Sequence, residues 1–157
     1  MIKNRYINGK TFYKKFMRHS NISEIIRYNS KKFKDKFALI FNKEKITFYE
    51  LNNKVNLLAG FLQKLRAKKI LTVLPNCPEL VYIFLSTAKL GSVIVPLSLA
   101  LNIRDIKNQI IDLDIDVVIC RKSTFLELKK VFKNSYKKIN FILYEGDKRH
   151  ESLDNIL

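Results

Sequence analysis

The side chains able to do chemistry are few and scattered. The 157 residues hold two cysteines, Cys77 and Cys120, and two histidines, His19 and His150. Zinc sites gather Cys and His at short, fixed intervals, and these four residues show no such spacing. Both cysteines lie in apolar runs and read as buried thiols of a reducing compartment. His19 falls in a basic leader and His150 near the end of the chain, where each reads as an exposed histidine. Asp112, Asp114 and Asp116 form the one carboxylate cluster. A divalent cation wants oxygen ligands wrapped around a turn with glycine, which this stretch lacks, so these acids read as solvated turn residues. Phosphate chemistry wants a loop rich in Gly, Ser and Thr whose N–H groups cradle the anion. The glycines are Gly9, Gly60, Gly91 and Gly146, and no two are close enough to build one. No catalytic residue, cofactor-binding residue or metal ligand is therefore assigned.

The elements that would position chemistry are far clearer. Residues 74–98, LPNCPELVYIFLSTAKLGSVIVPLS, are the centre of the pattern. Ile70–Leu74 reads as a strand buried on both faces, broken by Pro75 and Asn76. Pro78 suits the first position of a helix, where its missing N–H had no partner to lose, and Glu79 sits beside the positive helix end. Leu80, Val81, Phe84, Leu85 and Ala88 recur at helical spacing and predict a mostly buried helix. Gly91 stands where a left-handed cap belongs. Ser92–Pro96 restarts a strand that proline is expected to cut off. Strand, buried helix and strand make a βαβ unit, hence a parallel sheet.

Upstream, Ile22, Ile25, Ile26 and Phe33 predict a short amphipathic helix from about Asn21. Phe37–Phe41 and Lys45–Phe48 flank Asn42-Lys43-Glu44 as a β-hairpin. Thr47-Phe-Tyr-Glu50 is a capping box, followed by Leu51, Val55, Leu58, Ala59, Leu62 and Leu65 on one helical face. Leu65-Arg-Ala-Lys-Lys69 then runs straight into the next strand, without a glycine cap. Downstream, Asn102 caps a helix containing Ile103, Ile106, Ile110, Ile111 and Leu113. Asp116–Cys120 is a buried strand. Ser123 opens a helix with Phe125, Leu126, Leu128, Val131 and Phe132, and Ile139–Tyr144 is a last strand. The expected fold class is α/β: a mostly parallel sheet with helices on both faces and an N-terminal β-hairpin. Residues 1–20 form a basic extension, residues 21–145 the α/β domain and residues 146–157 an irregular tail.

The wording of these elements resembles the N-terminal part of AMP-forming acyl-CoA ligases, members of the adenylate-forming family. The residues that carry the likeness are Leu74, Pro75, Asn76, Pro78 and Glu79, then Lys89, Leu90, Gly91, Val93, Val95, Pro96 and Leu97. The hairpin, I-T-F-Y-E-L-N and Val55-Asn-Leu-Leu-Ala59 extend it, so that it covers about Ile22 to Tyr144. The short join at Leu65–Lys69 departs from the family, which places a longer link with Gly-Asp there. The resemblance implies an acid–thiol ligase using ATP, magnesium and CoA in the full-length family. It also implies that the phosphate-binding loop, the aromatic-Thr-Glu segment, the ribose-binding acid and the catalytic lysine all lie beyond Leu157. The expectation is a truncated or split ligase of fatty acid metabolism, cytoplasmic and inactive alone. Its partner would be the remainder of the enzyme, and its uncovered apolar face would make it poorly soluble.

Composition bounds the rest. A hydrophobic fraction of 47% suits one globular domain, and no apolar run approaches the ~20 residues that cross a bilayer. The 30 Lys and Arg against 14 Asp and Glu give a net charge of +16. Attraction to nucleic acid or an anionic membrane is one reading, that of a stand-alone binding module. The other is a compositional bias toward Lys, Asn and Ile, favoured because the basic residues spread along the whole chain. No strand shows the aromatic–basic alternation of an RNA-recognition motif, and no specific nucleic acid is expected. Residues 1–20 carry Lys3, Arg5, Lys10, Lys14, Lys15 and Arg18 with no acid. They read as a loose extension, with a targeting segment or a weakly anionic-surface-binding arm as alternatives.

Overall fold

The computed structural model describes residues 22–132, 139–146 and 150–157. The basic extension and His19 lie outside the described residues. The first elements are helix α1 (Ile22–Lys32), strands β1 (Phe37–Phe41) and β2 (Glu44–Thr47), and helix α2 (Phe48–Lys64). Strands β1 and β2 pair antiparallel around Asn42-Lys43, with Asn42 at φ 54°. Asparagine tolerates the left-handed region better than most side chains, which suits it to this tight turn. The capping box that opens α2 is complete: Thr47 Oγ1 accepts the Glu50 N–H at 3.2 Å, and the Glu50 carboxylate accepts the Thr47 N–H at 2.8 Å. Leu51, Val55, Leu58, Ala59 and Leu62 of α2 are buried, as their spacing predicts.

Strand β3 (Lys69–Val73), helix α3 (Pro78–Leu90) and strand β4 (Val93–Leu97) form the expected βαβ unit. Helix α4 (Ile103–Asp112), strand β5 (Val117–Cys120), helix α5 (Lys122–Phe132), strand β6 (Asn140–Leu143) and the short helix α6 (Leu153–Ile156) complete the chain. Four parallel strands lie in the order β4-β3-β5-β6. Alternation along each strand divides the core by the pleat. Ile70, Val117, Ile119 and Ile142 pack with Leu58, Leu62, Tyr82 and Ile83 of α2 and α3. Leu71, Val73, Val118 and Cys120 pack with Ile106, Ile110, Phe125 and Leu128 of α4 and α5. The sheet is thus covered on both faces, which explains why its strands read as continuous apolar runs.

Some expectations are corrected. Pro96 does not end its strand: it sits inside β4, paired in register with Thr72. β4 is an edge strand, where a missing N–H costs no ladder bond on the open side. Helix α3 buries Tyr82, Ile83, Leu85, Ser86 and Thr87, while Phe84 is 47% exposed. The polar residues are accepted in the core because Ser86 Oγ donates to Val55 O at 3.0 Å and Thr87 Oγ1 to Ile83 O at 2.7 Å. Small side chains on that face let α3 lie close to α2; of the predicted apolar positions Leu85 is buried and Val81 packs against the core, while Phe84 is not. Leu126, expected in the core face of α5, is likewise exposed.

The expected irregular tail contains structure. Ser152 bridges Leu143 in parallel, and Leu143 N donates to Glu151 O at 2.8 Å. Leu153 is buried against α2 in the core. Gly146 N donates to Asp154 Oδ2 at 2.6 Å, which ties the segment back on itself. Among the described residues, no helix is long and apolar enough to cross a membrane.

Candidate functional site

In an open parallel sheet, ligands bind outside the carboxyl ends of the strands, where the strand order reverses. Here β3 leads outward to β4, and the chain then crosses back past β3 to β5, so the reversal lies between β3 and β5. β3 delivers Leu74-Pro75-Asn76 and the start of α3 to that crevice. β5 delivers Arg121 and the start of α5, and β6 delivers Tyr144, whose N–H donates to Cys120 O at 2.9 Å.

Cys77 is the N-cap of α3, with extended backbone and no side-chain cap bond. Burial pushes its thiol pKa up, and Glu79 adds to the rise while contact with Tyr144 opposes it. The Tyr144 phenol is pushed up to about 12, first by burial and then by its neighbours Cys77 and Glu79. Both groups are held protonated at neutral pH and are poor nucleophiles. Tyr144 was not singled out by its sequence context; its one signal is its place just after the last apolar strand.

The crevice does not suit a polyphosphate. A helix N-terminus attracts anions through free N–H groups and its dipole. At α3 the first helical residue is Pro78, which has no N–H, and Glu79 already puts a carboxylate in the first turn. No glycine lies in the β3–α3 or β5–α5 connection. Glu79 Oε2 and Arg121 Nε are buried here without hydrogen-bond partners. Such atoms are costly unless something else meets them.

A second opening, about 680 Å3, lies at the opposite edge, among Gln63, Arg66, Lys68, Lys69, Gly91 and Val93. It is the gap between the ends of α2 and α3 and the starts of β3 and β4. Its cations are partly committed, since Lys69 Nζ donates to Leu113 O at 2.9 Å. It offers no acid, base or nucleophile arrangement.

The carboxylate cluster disperses into separate structural tasks. Asp112 is exposed at the last position of α4. Asp114 takes φ 51° just beyond the helix. Asp116 is half-buried, and its Oδ2 accepts the N–H groups of Lys68 and Lys69 at 2.9 Å each. The reading as solvated turn acids fails for Asp116, which is a backbone clamp. His150 is also corrected: it is half-buried, with its ring edge-on to Phe125 at 5.0 Å between centroids. Cys77 and Cys120 are buried as expected. Among the described residues, no group of three or more His, Cys, Asp and Glu is placed to hold a metal ion.

The family model described as AMP-binding enzyme matches residues 26–155. Among solved structures, a putative long-chain-fatty-acid CoA ligase from Rhodopseudomonas palustris is 17% identical at a TM-score of 0.76, over 87% of this chain and 36% of that one. Coronafacic acid ligase from Pectobacterium brasiliense is 23% identical at a TM-score of 0.75, over 87% of this chain and 29% of that one. The NpsA N-terminal subdomain from Klebsiella oxytoca, solved in complex with 3-hydroxyanthranilyl-AMSN, is 28% identical at a TM-score of 0.58, over 64% of this chain and 26% of that one. The chain therefore spans about a third or less of the length of these relatives. None of the curated proteins matches it.

Proposed function

The chain belongs to the AMP-binding enzyme family, and from that premise we propose that it is the leading part of the N-terminal subdomain of an ATP-dependent acyl- or aryl-CoA ligase. The complete enzyme would join a carboxylic acid to AMP and then pass the acyl group to the thiol of CoA in the cytoplasm. The observation that carries this reading is a family match over residues 26–155 in a chain about a third as long as its solved relatives. The partner in this reading is the rest of the ligase fold, in the same polypeptide or supplied in trans.

These residues serve as scaffold. The crevice lacks a phosphate cradle and Cys77 is protonated, so no step of adenylation or thioester formation is assigned to any side chain described above. ATP, magnesium and CoA belong to the remainder of the fold.

Two experiments test the reading. ATP–pyrophosphate exchange by the purified 157-residue chain, with a panel of fatty and aromatic acids, is expected not to exceed a mock-purified control. Exchange above that control would overturn the scaffold role. Sequencing the DNA beyond the Leu157 codon in all three frames is expected to find a Gly/Ser/Thr-rich loop ending in Pro-Lys. Its absence from every frame would remove the split or interrupted ligase.

A further inference from the structure

The most exposed apolar side chain of the described residues belongs to the hairpin. Ile40 is 67% exposed and Phe37 53% exposed, with Phe41, Tyr49 and Tyr28 also open to solvent. Cross-strand pairing sets Ile40 opposite Lys45. The inner face of the same hairpin is satisfied, since Leu39 and Ile46 pack into the core. The loop between α1 and β1 is stitched beside the start of α2: Phe48 N donates to Lys36 O at 2.9 Å and Tyr49 N to Lys34 O at 3.2 Å. Hairpin, loop and helix start therefore form one continuous surface.

Lysines line this surface and lie along its rings. Lys45 Nζ is 5.2 Å from the Phe37 ring centre, Lys34 Nζ 4.9 Å from Tyr49, and Lys36 and Lys32 Nζ 4.9 and 5.3 Å from Phe33. Between Tyr28 and Tyr49 the chain carries six lysines against two acids, Asp35 and Glu44, and no arginine. The patch is thus cationic well beyond balance, with aliphatic and aromatic tips standing out from it.

We propose that the outer face of the β1–β2 hairpin, with the Phe33–Phe37 loop and Tyr49, is a docking surface for an anionic lipid bilayer. Ile40 and Phe37 enter the headgroup boundary, and Lys34, Lys36, Lys43 and Lys45 meet the lipid phosphates. Charge complementarity favours an anionic partner. The rings decide which one. A single-stranded nucleic acid is held by bases stacked on open aromatic faces, and here lysine ammonium groups stand over those faces. An aliphatic tip such as Ile40 adds nothing to a phosphate backbone, but it gains from leaving water at a bilayer surface. Lysine side chains are long enough to lift their ammonium groups from the rings to phosphate level while their stems stay in apolar surroundings. The inference goes beyond the ligase reading and uses none of the crevice residues named above.

The test is co-sedimentation of the full chain with vesicles of phosphatidylcholine alone or mixed with phosphatidylglycerol. Binding is expected only to the mixed vesicles and to weaken as salt rises. The triple variant Lys34→Glu, Lys36→Glu and Lys45→Glu is expected to lose about a hundredfold in partitioning. Ile40→Ser, which leaves the charge unchanged and touches an exposed position, is expected to lose about fivefold. A control with the same charge change on the opposite face of the sheet, Arg104→Glu, Lys129→Glu and Lys130→Glu, is expected to lose much less. Equal loss in both triple variants would reduce the effect to net charge and overturn the site. So would an unchanged Ile40→Ser, a lack of binding to mixed vesicles, or preferential binding to single-stranded RNA. Concentration-dependent self-association abolished by Ile40→Ser, without vesicle binding, would assign the face to a second copy instead.

Discussion

Asp116 Oδ2 accepts the backbone N–H of Lys69 at 2.9 Å and that of Lys68 at the same distance. One carboxylate at the start of β5 thereby fixes the start of β3, its neighbour in the sheet. The Asp116 N–H itself donates to Lys69 O at 3.1 Å, so the two strands enter the sheet already locked in register. Replacing Asp116 with Ala strands two amide donors that ladder bonds do not reach. The expected loss is about 2 kcal/mol, from the cost of removing a charged acceptor. Chemical denaturation of Asp116→Ala and Asp116→Asn measures it, with Asn retaining an acceptor and part of the stability. A loss no larger than that of an exposed Asp112→Ala control would refute the clamp.

Three consecutive helices end in the same manner. Ala67 N donates to Leu62 O, Ser92 N to Thr87 O and Ile115 N to Ile110 O, at 3.1, 3.0 and 3.1 Å. This is the Schellman pattern, which needs one left-handed residue after each helix. Gly91 fills that place at φ 68°, but Arg66 and Asp114 fill it at 54° and 51°. Arg66 carries a Cβ penalty that glycine avoids, so Arg66→Gly is expected to stabilise the fold by about 1 kcal/mol. Gly91→Ala is expected to cost about as much. Thermal melts of the two variants should shift in opposite directions; destabilisation by Arg66→Gly would show that its side chain contributes more than its backbone costs.

That position also shows what was legible in the sequence. Thr47 with Glu50, Pro78 and Gly91 act within one turn of the chain, so residue type alone declares their roles. The strands were legible because burial on both faces makes them apolar throughout. Arg66 announced a missing glycine but not that the left-handed turn would persist, because the hydrogen bonds impose the conformation whatever residue stands there. Phe84, expected in the core, is exposed because α3 packs on α2 through Ser86, a tertiary demand that periodicity does not contain. Pro96 was misread because a proline's tolerance depends on whether the strand is at an edge, and strand order is absent from local pattern. The tail was missed for the same reason: a polar segment offers no apolar run, yet Ser152 bridges the sheet and Leu153 has a slot beside α2.

The capping box at α2 makes part of the stability depend on pH. Hydrogen bonds from the Thr47 backbone and side chain hold the Glu50 carboxyl below its usual range, with Lys54 assisting. A depressed carboxyl pKa stabilises the fold above the unfolded value near 4, and that contribution disappears as pH falls through the folded value. Glu50→Gln should therefore be less stable than the parent at pH 7, and the gap should close toward pH 3. Melting temperatures of both proteins across that range check the sign; a gap that widens in acid would contradict it. Thr47→Ala removes the reciprocal bond and is expected to cost about 1 kcal/mol.

The two thiols should be inert in the folded chain for different degrees of the same cause. Cys120 is fully buried on the α4–α5 side of the sheet, and burial pushes its pKa up to about 12. At pH 8 roughly one such group in ten thousand is a thiolate, the form that reacts. Cys77 is 7% exposed and also raised, chiefly by burial. An aromatic disulfide reagent at pH 8 is expected to label neither thiol quickly, with Cys77 ahead of Cys120, and to label both at once in denaturant. The order is informative because Cys120 is reachable only if the sheet opens, whereas Cys77 requires only the end of α3 to fray. Labelling of Cys120 at the rate of Cys77 would mean that both report one global opening. Rapid labelling of Cys77 alone would place the start of α3 among the least stable parts of the fold, at the carboxyl edge where Glu79 and Arg121 keep buried atoms without partners.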